Sequence, residues 1–219
     1  MIKLLFYAIA AVVSYLCGSI SFAVIISRWV TKRDVRDYGS GNAGTTNVMR
    51  TVGFWPGLLT FVLDFSKAAV SCLIGKYLIF GILAASSGVS YNPTYAILFC
   101  GLFCQIGHIY PLFFGFRGGK AVACTVGIFC VCNVKAFLIF VAVFAIVFLC
   151  TRIISASSIA AVMSLPVAEY FTVAPVGRLA ETVLTILIAI IVIWKHSENI
   201  ERILKGEEKK LTIKRSKNK

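Results

Sequence analysis

Three polar segments of this chain combine residue types that bind phosphate. The first, residues 36–53, reads RDYGSGNAGTTNVMRTVG. Its glycines let backbone N–H groups approach a ligand closely, and its hydroxyl and amide side chains add further donors. Ordinary connecting loops are also rich in Gly, Asn and Ser, so this segment by itself fits a turn equally well. The phosphate interpretation would use these residues: Ser40, Gly41, Asn42, Thr46, Asn47 and Arg50.

The second segment, residues 107–127, reads GHIYPLFFGFRGGKAVACTVG and leads directly into an apolar helix. A Gly-Gly turn with flanking cations at a helix N-terminus favours an anion. The spacing is not that of a Walker loop. A simple membrane turn would explain the glycines but not the histidine. We therefore predict that this segment binds phosphate through His108, Arg117, Gly118, Gly119 and Lys120.

The third segment, residues 194–210, reads WKHSENIERILKGEEKK. His196, Asn199 and Arg202 recur every third residue, so they share one face of a helix that continues past the last apolar span. Gly206 is expected to end that helix. An amphipathic helix at the membrane surface would give the same pattern, and a single histidine there is more often an interfacial residue than a catalyst.

Asp64 and Lys67 lie inside an apolar segment, where charged side chains are costly. Their i, i+3 spacing allows them to pair with each other on a helix. Such a pair would either lock two helices together or support the site from below, and the sequence leaves both roles open.

The eight cysteines fall almost entirely inside apolar runs, where they act as small hydrophobic residues and no disulfide is expected. Cys100, Cys104 and His108 are spaced four apart on one helix face. One straight stripe cannot surround an ion, so we interpret it as a packing surface. We expect neither a metal nor a cofactor.

The composition predicts an all-α, polytopic integral membrane helix bundle. The 219 residues are 59% hydrophobic and only 14% charged, which is outside the range of ordinary soluble domains. The net charge of +13 comes from cations gathered at segment ends and in the tail, which suits membrane topology better than nucleic acid. The first apolar run, residues 4–26, is too long for a signal peptide and is expected to be a retained helix.

About seven transmembrane helices are predicted, since a crossing takes about 20 residues. A cytoplasmic C-terminus and an external N-terminus place 17 of the 22 Lys and Arg residues inside the cell, together with all three polar segments. We expect one transmembrane domain over residues 1–204 and a basic cytoplasmic tail over 205–219, which either contacts anionic lipid or acts as a plain topological anchor. The predicted spans are 3–27, 54–80, 93–115, 119–133, 136–151, 154–172 and 178–195.

The three polar segments and the stretches GSISFAVII, DFSK and TRIISASSI match one known family in their order and spacing. The match covers nearly the whole chain. The chain resembles the bacterial acyl-phosphate:glycerol-3-phosphate acyltransferases, small polytopic enzymes of the cell membrane. The resemblance implies transfer of a fatty acyl group from acyl phosphate to the 1-hydroxyl of glycerol 3-phosphate, giving lysophosphatidic acid and phosphate at the cytoplasmic face. The implied partners are glycerol 3-phosphate, long-chain acyl phosphate, membrane lipid and, as a candidate, the enzyme that makes acyl phosphate.

The resemblance also implies roles for individual residues. Ser40, Arg50, His196 and Asn199 correspond to catalytic positions, and Gly118, Gly119 and Lys120 to a glycerol-phosphate loop. Glu207 matches an acidic residue with a structural role. Apart from the resemblance, Asp64, Lys67 and Ser155 are candidate supporting residues. The chain departs from the family pattern at Thr45, Ala68 and Ala121. If the family glycine at position 121 has a positive φ, alanine strains the loop there.

Two other functions fit parts of the pattern. A transporter or flippase for an anionic solute would show broken helices or repeats with polar groups near mid-membrane, whereas the polar residues here gather at one face. An acyltransferase that uses coenzyme A would carry His-x-x-x-x-Asp, but Phe113 follows His108 at that spacing and Glu201 follows His196. The proton acceptor for the glycerol hydroxyl stays open between the two histidines and a substrate phosphate.

Overall fold

The computed structural model describes residues 2–88 and 90–211. Within these ranges the chain forms eleven α-helices and no β-strand, as the composition predicts. The last eight residues of the predicted basic tail lie outside the described residues. The helices are α1 (Ile2–Gly18), α2 (Phe22–Thr31), α3 (Thr45–Thr51), α4 (Phe54–Leu73), α5 (Phe80–Ser87), α6 (Pro93–Ile109), α7 (Val122–Cys132), α8 (Val134–Thr151), α9 (Ile154–Thr172), α10 (Arg178–Trp194) and α11 (Ser197–Leu204).

Fewer segments than predicted are long and apolar enough to cross a membrane. Among the described residues there are five such spans, or six if α10 and α11 form one span bent by 60°. The fourth predicted span, 119–133, corresponds to α7, which has only eleven residues and rises about 16 Å. The membrane bundle is confirmed, but the count of seven is not. The qualifying spans are Ile2–Thr31, Phe54–Ser87, Pro93–Phe114, Val134–Thr151 and Ile154–Thr172.

Close helix contacts depend on residues without a side chain. A Cβ at Gly18 would overlap the backbone of Cys104, and a Cβ at Gly107 would overlap the Tyr15 carbonyl. These two contacts bring the backbones of α1 and α6 together. Small residues have this function in membrane helix pairs, where no hydrophobic effect drives helices together.

The core lies between α4, α6, α7, α9 and α10. Large apolar side chains fill it, and α8 covers one side with Ala136 and Phe140 while most of its remaining residues face outward. Such an outward apolar face is expected where the solvent is lipid. The largest fully buried apolar residues of this cluster are Phe129, Leu98, Ile109, Ile128, Leu165 and Ile188.

Helix α7 starts late because the chain before it takes left-handed backbone conformations. Ala121, which immediately precedes α7, has φ 61° and ψ 13°, and Phe116 has φ 57°. Position 121 therefore has the positive φ at which alanine strains the loop, and Ala121 occupies a conformation that costs an L-residue about 1–2 kcal/mol.

We predict that Ala121→Gly raises the free energy of unfolding by about 1 kcal/mol, because glycine adopts positive φ without a steric cost. The matched control is Ala123→Gly inside α7, which should lower stability by about 1 kcal/mol. Thermal unfolding of the purified protein in detergent measures both changes. A fall in stability for Ala121→Gly would contradict the assigned strain.

Candidate active site

The buried side chain of Asn47 organises the first polar loop. Its Oδ1 accepts a hydrogen bond from the Ser40 N–H at 3.0 Å. Its Nδ2 donates to the carbonyls of Val35 at 2.9 Å, Tyr38 at 3.0 Å and Asn42 at 3.1 Å. Because these contacts use the N–H groups of the amide, Asn47 holds the shape of the loop and has no donor left for a phosphate, which differs from its predicted role in phosphate binding.

The edge of this loop presents Ser40 to solvent. Gly39 and Gly41 on either side have φ of 64° and 69°, so the chain turns sharply and Ser40 is exposed between them. Arg50 is also exposed, in the last turn of α3. Asn42 and Thr46 are half-buried. The loop therefore offers a hydroxyl and a guanidinium to a ligand. Nothing in the structure explains why Thr45 departs from the family pattern.

Arg36 connects the first loop to the second. Its guanidinium donates to the carbonyls of Phe114 at 2.6 Å and Arg117 at 3.1 Å. Asp34 holds the other side of the guanidinium through bonds of 3.0 and 2.8 Å. The hydrogen bonds from Arg36 and Arg28 hold the pKa of Asp34 well below its ordinary value. In the sequence, Arg36 is only one of several cations in this loop, because nothing in its spacing indicates this contact.

Gly118 and Gly119 allow the second loop to pack against the first. Their N–H groups donate to the carbonyls of Ile109 at 3.1 Å and His108 at 3.2 Å. A Cβ on Gly119 would overlap the His108 ring and the Ala43 carbonyl. The chain itself therefore occupies the N–H groups that the sequence assigned to phosphate, and only the charged side chains of this loop are left to contact an anion. Of these, Arg117 is exposed and Lys120 is half-buried.

A buried cluster of charged groups lies under this loop. Lys67 Nζ is 2.8 Å from Asp64 Oδ1, so the predicted pair forms. The same nitrogen is 3.0 Å from His108 Nδ1 and 2.6 Å from the carbonyl of Ile20, in the break between α1 and α2. The cluster joins three elements of the chain and lies under the loop. It therefore fits both roles that the sequence left open, which are joining helices and supporting the site from below.

The bend between α10 and α11 positions His196 and Asn199. His196 is buried at the bend, and its Nδ1 lies 2.7 Å from the carbonyl of Val192. Asn199 accepts a hydrogen bond from Lys120 Nζ through Oδ1. This contact brings the second and third polar segments together. Burial, followed by the nearby guanidinium of Arg202, lowers the pKa of Lys120, and a bound anion would offset both effects.

Glu208 holds the third segment against the bundle. Its Oε1 accepts from Asn199 Nδ2 at 2.6 Å and from Ser155 Oγ at 2.7 Å, and its Oε2 accepts from Arg202 Nε at 2.7 Å. Burial opposes ionisation of Glu208, but these hydrogen bonds outweigh it and lower its pKa. Glu207, the residue given this place by the resemblance, is exposed.

The local backbone explains why Glu208, and not Glu207, contacts the bundle. Gly206 has φ 71°, so the chain reverses after α11, and the N–H of Glu207 donates to the carbonyl of Arg202 at 2.8 Å. The following residue then faces the bundle. In a sequence that contains Gly-Glu-Glu, spacing alone does not distinguish the two carboxylates.

All three segments thus meet at one end of the bundle. Arg36 and Gly119 join the first to the second, and Lys120 joins the second to the third. Ser40 and Arg50 stand at the exposed edge of this assembly, and the structure gives no direct contact between them and Lys120. Across residues 2–88 and 90–211, no group of three or more His, Cys, Asp or Glu side chains is arranged to hold a metal ion.

Comparison with known proteins gives one consistent result. Residues 8–206 match the family model described as glycerol-3-phosphate acyltransferase. The chain is 36% identical to a glycerol-3-phosphate acyltransferase of Prochlorococcus marinus (strain MIT 9215), with 90% of this chain and 94% of the relative covered. It is 37% identical to glycerol-3-phosphate acyltransferase 2 of Bacillus anthracis, with 91% and 96% covered.

Solved structures agree with these relatives. The chain is similar to the crystal structure of PlsY, an integral membrane glycerol 3-phosphate acyltransferase, in its glycerol 3-phosphate form, with a TM-score of 0.80, 34% identity and coverage of 94% of this chain and 96% of that one. The lysophosphatidic acid form gives a TM-score of 0.77 at 33% identity, with 94% and 95% covered. The chain therefore belongs to the glycerol-3-phosphate acyltransferase family.

Proposed function

We propose that this protein transfers a fatty acyl group from acyl phosphate to the 1-hydroxyl of glycerol 3-phosphate, forming lysophosphatidic acid and inorganic phosphate. The observation that carries the proposal is the meeting of three polar segments at one end of an apolar bundle, where Lys120 contacts Asn199. Family membership supports it, as does the similarity to an enzyme crystallised in glycerol 3-phosphate and lysophosphatidic acid forms.

The reaction suits a site made of cations and hydrogen-bond donors. The glycerol oxygen attacks the acyl carbonyl carbon, the bond from that carbon to the phosphate oxygen breaks, and the hydroxyl proton moves to a base. Acyl phosphate is already an activated anhydride, so the main task is to hold two mutually repelling phosphates in position. Holding the two substrates in the reactive orientation can lower the activation barrier by about 7–11 kcal/mol. Fixed cations stabilise the charge that develops during the reaction.

Arg50, Arg117 and Lys120 are the proposed phosphate-binding cations. Lys120 is paired with the neutral amide of Asn199, while the nearby carboxylate of Glu208 is bonded to Arg202. The ammonium charge of Lys120 therefore has no direct carboxylate partner within the described chain and is available to an anion. Asn199 and Glu208 fix its position.

Ser40 is proposed to bind and orient a substrate oxygen. It lies on an exposed loop edge, and no histidine and carboxylate of the described residues surround it as a nucleophile requires. His196 is proposed to orient the glycerol hydroxyl. The proton then passes either to this histidine or to a substrate phosphate oxygen.

We further propose that the chain crosses a bacterial cell membrane seven times, with α7 and α10 counted as crossings, and that the C-terminus and the site face the cytoplasm. The cationic loops at the site end support this orientation by the positive-inside rule. Trp29, Trp55 and Trp194 are exposed at the ends of their helices, as expected of residues at a membrane interface. The acyl donor and the lipid product would enter and leave from the apolar side.

A transporter or flippase is not favoured. Transport sites lie near mid-membrane on broken helices, whereas the polar segments here are at one end and are tied to each other. The buried charges of Asp64 and Lys67 are bonded to His108 and to the backbone, so they do not line a path.

The donor assignment predicts phosphate release. Purified protein in detergent, given glycerol 3-phosphate and palmitoyl phosphate, should release one phosphate for each lysophosphatidic acid formed. Phosphate detection together with mass spectrometry of the lipid measures this ratio. Turnover with palmitoyl coenzyme A and none with palmitoyl phosphate would contradict the proposed donor.

Ser40→Ala is predicted to abolish turnover, because the hydroxyl orients a substrate and no neighbour replaces it. Ser90→Ala, at an exposed position in the loop before α6, is the matched control and should keep wild-type activity. Steady-state rates measure both variants. An acyl group covalently trapped on Ser40 would show that it is a nucleophile, against the proposed role.

Glu208→Gln is predicted to weaken glycerol 3-phosphate binding. Hydrogen bonds to a charged group contribute about 1.5–3 kcal/mol, so loosening Asn199 and Lys120 should raise KM about tenfold or more. Glu207→Gln removes the same charge from the adjacent exposed residue and should leave KM unchanged. Equal effects of the two substitutions would mean that only the net charge matters.

A further inference from the structure

The chain contains two histidines, and both are buried beside the site, with exposed fractions of 6% for His108 and 3% for His196. Their rings face opposite kinds of partner. His108 Nδ1 lies 3.0 Å from Lys67 Nζ, whereas His196 Nδ1 lies 2.7 Å from the carbonyl oxygen of Val192. An amine and a carbonyl impose different proton positions on the imidazole.

The ammonium group of Lys67 has three N–H donors and accepts none. Three acceptors surround it: the Ile20 carbonyl at 2.6 Å, Asp64 Oδ1 at 2.8 Å and His108 Nδ1 at 3.0 Å. His108 Nδ1 also lies 3.5 Å from Asp64 Oδ1. The ammonium group at 3.0 Å is closer and can only donate, which requires a bare lone pair on His108 Nδ1. The ring proton of His108 is then on Nε2.

The carbonyl of Val192 can only accept a hydrogen bond. His196 Nδ1 must therefore carry the ring proton and donate it to this carbonyl. Its Nε2 is left as a bare acceptor. The two histidines thus differ in which nitrogen is protonated.

We propose that His108 and His196 are held in opposite neutral tautomers, and that Lys67 is the positioning residue that fixes His108. His108 offers an N–H donor at Nε2, and His196 offers a lone pair at Nε2. A Cβ on Gly119 would overlap both His108 Nε2 and the Ala43 carbonyl oxygen, so this N–H borders the junction of the two glycine-rich loops.

The proposal assigns distinct roles in the reaction. The bare nitrogen of His108, Nδ1, is already occupied by Lys67, whereas Nε2 of His196 is not, so of the two histidines only His196 can accept the glycerol hydroxyl proton or its hydrogen bond. His108 can act only as a donor at the loop junction. This consequence rests on the proposed function, but the assignment of tautomers does not.

The alternative arrangement transfers the proton from Lys67 to His108, giving an imidazolium beside a neutral amine. An alkylamine is more basic than imidazole by about four pKa units in water, which favours the proton on lysine. The two arrangements give different nitrogen signals, so one spectrum distinguishes them.

The test is a long-range proton–nitrogen correlation spectrum of the full chain in detergent micelles, with ¹⁵N-labelled histidine. The pH should be mildly alkaline, where free imidazole is neutral. We expect two patterns of opposite type, one with protonated Nε2 and one with protonated Nδ1. His196→Gln removes the second pattern and assigns both.

Lys67→Met removes the donor to His108 and should abolish the fixed tautomer of His108 while His196 keeps its pattern. Val70→Met, on the same helix at an exposed position, is the control and should give the wild-type spectrum. An unchanged His108 pattern in Lys67→Met would overturn the positioning role.

The wild-type spectrum decides the tautomers even if Lys67→Met does not accumulate. Two identical patterns, or a doubly protonated His108, would overturn the proposal. Because the spectrum requires no turnover, failure of the proposed acyl transfer would leave this result unaffected, and the two failures can be told apart.

Discussion

A buried ammonium group must be surrounded by hydrogen-bond acceptors, and this requirement at Lys67 determines the arrangement around the site. Its acceptors come from three parts of the chain: the break between α1 and α2, helix α4, and the end of α6. Removing Asp64 would leave an uncompensated charge in the bundle, which costs several kcal/mol. Removing either of the other two acceptors would leave a buried N–H without a partner. The second loop rests on this cluster through Gly119 and His108, and the first loop rests on the second through Ala43 and Arg36.

In the site above the cluster, the structural cations are paired with carboxylates and Lys120 is not. Asp34 and Glu208 neutralise Arg36 and Arg202, which have structural roles, whereas Lys120 is paired with an amide. Carboxylates therefore stabilise the framework, and a neutral amide contacts the side chain proposed to bind phosphate. This division matches a reaction between two anions, in which a nearby carboxylate would add repulsion and a fixed cation reduces it.

The sequence predicted the all-α membrane bundle and the Asp64–Lys67 pair, because these depend on composition and helical spacing. It did not predict the 60° bend that separates His196 from the helix carrying Asn199 and Arg202. It did not predict the roles of Asn47 and Arg36, since their contacts join residues that are separated along the chain or engage backbone carbonyls that no pattern marks. Glu207 and Glu208 differ only in the direction of the chain after Gly206. The shortness of α7 follows from the backbone conformation at Ala121, which composition does not reveal.

The central claim is that the joined loops form a phosphate site in which Lys120 is the fixed cation. Equilibrium binding of glycerol 3-phosphate to the purified protein, without acyl donor, tests it most directly, with Lys120→Met compared against Arg152→Met at an exposed position after α8. We predict at least about a tenfold loss of affinity for Lys120→Met, in keeping with the 1.5–3 kcal/mol of a charged hydrogen bond, and no change for Arg152→Met. Wild-type affinity in Lys120→Met, or equal losses in both variants, would contradict the claim.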